Sequence, residues 1–232
     1  MASVISAQEA ASLIRDRQTL CVGGFVGFGT PDEILAAIEA RFIETGHPSQ
    51  LSVMNCAGCG DKKERGMNRF GHLGMVRKVY CGHIGLAPKL GQLIADNLIE
   101  GYCVPQGVSV HMLRAIAGRK PGVFTHVGLK TFADPRAEGC RMNAISKEQV
   151  VELVNFDGRE YLRYKPFSVD VAIIRGTTAD TKGNITLEKE AAFLEQLLMA
   201  QAARNSGGIV IVQVERIAEF GSLNPQLVKL PG

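Results

Sequence analysis

Two rhythms of apolar residues alternate along the 232 residues of the chain. Apolar positions three and four apart predict helices, and short unbroken apolar runs predict strands buried on both faces. Ser6 and Glu9 make a capping box that opens a helix over Ala10, Leu13 and Ile14. TLCVGGF is a strand, and the glycine-rich run 23-GGFVGFGTPDEI-34 leads into a helix over DEILAAIEARF that reaches about Gly46. There Thr30 and Glu33 suggest a second capping box, with Pro31 at the first helical position. LSVMNCAG and VRKVYCGHIG read as strands, APKLGQLIADNLI as a helix, GYCVP as a strand, QGVSVHMLRAIAG as a helix and VFTHVG as a strand.

Between about 131 and 165 the rhythm breaks. TFADPR is turn-rich, and VVELVNF and REYLRYK flank Asp157-Gly158, a strong hairpin signal. Beyond it VDVAIIRG is a buried strand and EAAFLEQLLMAQAARN is expected to be the longest helix, closed by Gly207-Gly208. GIVIVQVERI is expected as the last buried strand and GSLNPQLVKLPG as loop. This order predicts an α/β fold: an open, mainly parallel sheet with helices on both faces, made mixed by the inserted hairpin. One domain, 1–232, is expected. Ligands of such sheets bind at the carboxyl ends of the strands, where the glycine loop lies.

Composition narrows the function. Charged residues are 21% and the net charge is +3, too mild a balance to point to nucleic acid. No apolar run approaches the roughly 20 residues that span a membrane, and the N-terminus has no signal-peptide pattern. Six cysteines in a chain of this size are expected to be reduced, in a cytoplasmic protein. Cys56-Ala-Gly-Cys59 is a lone C-x-x-C, with only Cys81 and His83 nearby to complete a metal site; no metal is expected.

The glycine loop fails two nucleotide patterns. No lysine follows it as a P-loop requires, and a G-x-G-x-x-G frame starting at Gly27 ends on Asp32. Bare backbone before a helix start still favours a small anionic group. The plainer alternative is a turn that merely permits close strand–helix packing.

The wider context adds a family. GGF at 23–25 with Gly29 and Pro31, then AGCGDKKERG, GHIGLAPK, VPQGVSVHMLRAIAGRKPG, VGLKTFADPR, RGTTADTKGNIT and AQAARNSGGIVIVQVERIA, resembles in order the N-terminal half of family I CoA-transferases of the acetate/propionate type. The resemblance implies transfer of CoA between an acyl-CoA and a free carboxylate through a glutamyl-CoA thioester, with CoA as substrate and no cofactor. It implies two related α/β halves with the site between them. The nucleophilic glutamate belongs to the second half, so no catalytic nucleophile is expected in this chain. A beta subunit or C-terminal half is the expected partner, in an oligomer. Gln106 matches a glutamine that reaches the substrate or oxyanion, with Gly23, Gly24 and Phe25 as a floor beside it. Gly128, Lys130 and Thr131 are expected to line the acyl or CoA channel. Two departures stand out: Lys130 and Cys140 occupy positions where the family commonly has glycine.

Rival readings follow from single residues. Glu215, at a strand end, is the strongest in-chain alternative nucleophile, against a plain Arg–Glu pair at a strand terminus. Were it essential, a sugar-phosphate isomerase would fit. Glu188, Glu190 and Glu195 read as a solvated helix start, the histidines as structural, and Lys62 to Arg65 as a solvated turn with a possible CoA-phosphate contact. Leu223, Leu227 and Leu230 are expected to help join the halves. A non-catalytic CoA- or acid-binding domain is the remaining alternative.

Overall fold

A computed structural model describes residues 2–232. Its elements in chain order are α1 (Ala7–Ser12), β1 (Thr19–Val22), α2 (Asp32–Thr45), β2 (Leu51–Asn55), β3 (Val76–Cys81), α3 (Pro88–Ala95), β4 (Glu100–Cys103), α4 (Gln106–Ala117) and β5 (Val123–Thr125). Then come β6 (Val151–Phe156), β7 (Arg159–Tyr164), β8 (Val171–Arg175), β9 (Thr178–Asp180), β10 (Ile185–Thr186), α5 (Gln196–Asn205), β11 (Ile209–Gln213), β12 (Arg216–Ala218) and β13 (Val228–Leu230).

Six strands form the central sheet in the order β11-β8-β1-β2-β3-β4, and every pairing within it is parallel. Alternate strand residues divide between two cores. Leu20, Val22, Val53, Val79 and Ile173 face α1, α2 and α3. Cys21, Met54, Tyr80, Ala172 and Ile174 face α4, α5 and the hairpin. Both faces are covered, which is why the strands read as unbroken apolar runs.

The strand order reverses at β1. From there the chain steps outward through β2, β3 and β4, then returns to add β8 and β11 on the other side. In open α/β sheets such a reversal leaves a crevice outside the carboxyl ends of the strands. Here it lies between β1 and β8.

The fold class expected from the pattern is present, with local differences. The hairpin turns at Asp157-Gly158 as anticipated, but it pairs with β5 in a separate antiparallel sheet, β5-β7-β6, and leaves the large sheet unmixed. A helix of 10 residues, α5, starts only at Gln196; α2, with 14, is the longest. In the segment before α5, Glu190 pairs with Arg175 at 2.8 Å. β11 is an edge strand whose only buried residue is Ile211. The closing segment is not all loop, because β13 pairs with β10 and buries Leu230. Leu230 is therefore spent inside this chain and unavailable to a partner.

Candidate active site

The glycine loop begins where β1 ends. Gly23 N donates to Ile173 O at 2.9 Å, tying the loop to β8 across the crevice. Gly24 has φ 124, and a Cβ there would lie 2.6 Å from Thr30 Oγ1 and 2.8 Å from Cys59 Sγ. Only glycine fits, so this position serves close packing as well as any ligand. The tip is a two-residue turn in which Phe25 and Phe28 exchange both backbone hydrogen bonds, at 3.0 and 2.8 Å.

The second capping box is absent. Pro31 is itself the N-cap, which places Glu33 one position too early in the helix, and Thr30 Oγ1 contacts Cys59 Sγ at 3.3 Å instead. The first N–H groups of α2 are covered from a distance: Gln213 Oε1 accepts from Glu33 N at 3.1 Å and Ile34 N at 3.4 Å. The start of α2 is thus not an open anion cradle. Asp32 is engaged too, by Arg69 at 2.9 Å and by Gly66 N at 2.8 Å. The first box, at Ser6 and Glu9, is present in full.

Below the loop lies Asn55, at the carboxyl end of β2 and 1% exposed. Its Nδ2 donates to Val22 O at 2.9 Å and Gly24 O at 3.0 Å. Two carbonyl partners fix the amide orientation and leave Oδ1 buried without a donor. Such an orphan costs about 1–3 kcal/mol. Gln196 does similar work on the other side of the crevice, donating to Gly29 O at 3.3 Å and accepting from Arg175 N at 3.3 Å. Neither residue carries a sequence signal, since each amide acts on backbone distant in the chain.

Gln106 opens α4 just past the end of β4, exposed, with Pro105 as N-cap and no side-chain cap. Its side chain is not consumed as a helix cap. Gly82 lies between it and the rest of the row: a Cβ on Gly82 would be 2.4 Å from Cys56 O and 3.3 Å from Gln106 Cβ. Gln106 and the Gly23–Gly24 pair share the carboxyl-end face, but β2 and β3 separate them. Three strand spacings put them about 14 Å apart, so they are two edges of one face and not immediate neighbours.

Gly128, Lys130 and Thr131 lie on a turn after β5. Thr131 Oγ1 donates to Gly128 O at 2.8 Å, and Lys130 N donates to Asp134 Oδ2 at 2.9 Å. Asp134 is buried and also accepts from Arg136 Nε at 2.9 Å and Nη2 at 2.8 Å. The Arg136 guanidinium holds the Asp134 carboxyl well below the usual carboxylate range. The turn is tied to the edge of β4, because Cys140 N donates to Phe132 O and Cys103 N donates to Cys140 O. Both departures from glycine have left-handed backbone, φ 61 at Lys130 and φ 68 at Cys140.

Other candidates are engaged elsewhere. Glu215 pairs with Arg175 at 2.9 Å and Lys189 at 3.5 Å, the plain strand-terminus arrangement. Glu188 and Glu190 are not a solvated helix start: Glu188 accepts from Thr178 and Arg216, and Glu190 from Arg175. All six cysteines are free. Burial raises the Cys56 and Cys59 thiols, so neither is a ready thiolate for redox or zinc chemistry. His72 is bound to Glu39 at 2.7 Å. The Lys62–Arg65 turn wraps Asp61, whose carboxylate accepts from three successive N–H groups. Among the described residues no helix is long and apolar enough to cross a membrane.

The family model described as Coenzyme A transferase matches residues 4–232. The chain is 50% identical over 232 residues to the caffeate CoA-transferase of Acetobacterium woodii, covering all of this chain and 44% of that protein. It is 28% identical over 229 residues to the acetate CoA-transferase subunit alpha of Escherichia coli strain K12, covering 99% of this chain and 92% of that subunit. Among solved structures, the thioester complex with CoA of the acyl-CoA transferase YdiF from Escherichia coli O157:H7 superposes with a TM-score of 0.96 at 39% identity, covering 98% of this chain and 44% of that one. The chain thus spans less than half the length of the caffeate and YdiF relatives and nearly all of the alpha subunit.

Proposed function

The chain belongs to the coenzyme A transferase family, and on that premise we propose that it is the substrate-binding half of an enzyme moving CoA from an acyl-CoA to a short-chain carboxylate. Acetate, propionate, butyrate and acetoacetate are the acids of that class. The nucleophilic glutamate comes from a second half, either a C-terminal continuation or a beta subunit, and this chain alone is inactive. The glutamate attacks the thioester carbonyl, expels CoA thiolate and becomes an acyl-glutamyl anhydride. The thiolate then attacks the glutamyl carbonyl, releasing the donor acid and leaving a glutamyl-CoA thioester. An incoming carboxylate reverses both steps, in ping-pong order.

The observation that carries this reading is the free amide of Gln106. It stands exposed at the start of α4, on the ligand end of the sheet, with no capping duty. Its two N–H donors and the positive end of α4 suit the oxyanion that develops at the thioester carbonyl. Gly23, Gly24 and Phe25 form the opposite edge of the floor, and Gly128, Lys130 and Thr131 line the channel. The Arg175 and Lys189 partners of Glu215 argue against a nucleophile there. A second acid class has one specific support. The relative at 50% identity is named for caffeate, an aryl acid, and Phe25 and Phe28 stand exposed at the site.

The test is intact-protein and peptide mass spectrometry of this chain, alone and with its second half, after incubation with acetyl-CoA. A CoA-sized adduct formed only in the pair, on a glutamate outside these 232 residues, is expected. An adduct on Glu215 would overturn the placement. CoA binding without any adduct in the pair would leave a non-catalytic binding domain.

A further inference from the structure

Two stretches of strained backbone meet beside the crevice, and each presents apolar side chains to solvent. The first is the turn at 25–28, where Phe25 and Phe28 exchange backbone hydrogen bonds at 3.0 and 2.8 Å and Val26 has φ 57. The second lies just before α5, where Leu194 has φ 47. Both values fall in the left-handed region that β-branched and bulky residues rarely adopt. Gly29 joins the two stretches. Its φ is 59, and a Cβ there would lie 2.9 Å from Gln196 Nε2 and 3.0 Å from Leu194 Cδ1. Gln196 Nε2 also donates to Gly29 O at 3.3 Å. Strained backbone persists where its surroundings over-determine it, and such positions cluster at functional sites.

The apolar groups run on from one stretch to the other. As antiparallel bridge partners, Phe25 and Phe28 project from the same face of their turn, and they are 42% and 50% exposed. Phe193, next to Leu194, is 57% exposed. Lys229 Nζ lies 5.4 Å from the centre of the Phe193 ring, which brings β13 alongside. Two residues before Lys229, Leu227 is 48% exposed. Among the described residues none of these three rings is paired with another aromatic ring. Contiguous exposed apolar side chains, unlike single ones, mark an interaction surface.

The partner that covers them is set by where they start. Phe25 directly follows the Gly23–Gly24 floor. A second half that brings its glutamate to that floor must lie over the neighbouring rings, and a second copy of this chain seated there would shut it out. The caffeate and YdiF relatives each hold more than half of their length outside the part that this chain matches, a body large enough to cover the surface.

We infer that Phe25, Phe28, Phe193 and Leu227 form a docking surface for an apolar face of the second half, so that the contact between halves runs from the floor of the site to β13. The inference rests on the CoA-transferase reading above and adds the surface through which the halves join.

The experiment uses the assembled protein, this chain with its second half, continuous or separate. Hydroxyl-radical footprinting, read by peptide mass spectrometry, compares Phe28 and Phe193 with Phe156 on the hairpin, which is 51% exposed. Phe28 and Phe193 are expected to be oxidised about fivefold or more slowly than Phe156, as side chains in the core of an interface are. In a second preparation p-benzoylphenylalanine replaces Phe193, and after irradiation the crosslinked peptide is expected to lie outside these 232 residues. A crosslink to a peptide within them overturns the inference and makes the surface a contact between copies. Oxidation of Phe28 and Phe193 within twofold of Phe156 also overturns it. Turnover of acetyl-CoA with propionate is measured on the same material. Turnover with the two rings open overturns the inference and leaves the transferase reading intact. Protected rings in a protein without turnover overturn that reading, and the identity of the partner with it.

Discussion

Replacing Lys130 with glycine should stabilise the protein. The backbone there has φ 61, where the Cβ of any residue but glycine crowds the neighbouring carbonyl. That crowding costs roughly 1–2 kcal/mol. The Lys130 side chain is exposed, so removing it sacrifices no core packing. The bond from Lys130 N to Asp134 Oδ2, at 2.9 Å, is made by backbone and survives the change. Against the relief stands the larger conformational freedom of glycine in the unfolded chain, about 0.5–1 kcal/mol. The net expectation for Lys130→Gly is a gain of up to about 1.5 kcal/mol, at about 2–4 °C per kcal/mol in a chain of this size. Lys130→Ala keeps the Cβ and with it the strain, so it should change stability by less than about 0.3 kcal/mol. Urea titrations of the assembled protein, wild type and both variants, read the difference from the shift in midpoint at constant slope. Cys140→Gly supplies a contrast. Its φ of 68 is as strained, but its side chain is fully buried. Deleting that thiol opens a small cavity that offsets the relief, and no net gain is expected. A Lys130→Gly variant no more stable than Lys130→Ala would show that the left-handed backbone carries no such cost, and the strain argument would fail.

Other expectations address the site. Gln106→Ala should lower kcat of the assembled enzyme by on the order of 10²-fold, measured in the transferase assay, if its amide donates to the oxyanion. Glu215→Gln should alter the rate by less than about threefold, because Glu215 is an ion-pair partner; a loss of a thousandfold would put the nucleophile in this chain. Gly24→Ala should destabilise by on the order of 3 kcal/mol, since its Cβ would meet Thr30 Oγ1 at 2.6 Å at a φ of 124; near-native stability would contradict the packing described. The Asp134 carboxyl has a depressed folded pKa, first through its Arg136 hydrogen bonds, so its contribution is full above the unfolded value of about 3.9 and drains as pH falls below it. Asp134→Asn should therefore flatten the loss of stability between about pH 4 and pH 2 in acid titrations; an unchanged slope would refute the assignment.

Much of the fold was legible because it is local. β8 reads as a strand from five consecutive residues, the hairpin from Asp157-Gly158, and α1 from a box three residues wide. The parallel sheet follows from the alternation of such pieces, and the expectation of a site at the carboxyl ends rests on that sheet. The features that escaped are those in which a distant residue outbids a local pattern. Thr30 has a capping partner three positions on, but Cys59, 29 residues away, takes its hydroxyl. Gln213 caps α2 across 180 positions. Glu190 sits in what looks like an amphipathic helix, but it lies before α5 and is paired with Arg175.

The site divides in the same way. Gln106 and the glycines are visible in sequence because they belong to a recurrent motif, yet their separation by β2 and β3 is a matter of strand order that no motif states. Asn55 and Gln196 were invisible, since buried amides that stitch strand ends together leave no periodicity and no spacing. Lys130 and Cys140 show what sequence and structure supply together. As departures from glycine they raise only a question about specificity. With φ of 61 and 68 they become two places where this chain tolerates backbone strain in the segment between β5 and β6. That segment is anchored by Asp134 and by the edge of β4. Substitution at Lys130 then tests two separable questions: what the backbone strain costs in stability, and whether the ammonium group bears on acid selection. Lys130→Gly removes both the strain and the charge, Lys130→Ala the charge alone. A change in acyl preference shared by the two belongs to the ammonium group, and a change in stability seen only with glycine belongs to the backbone.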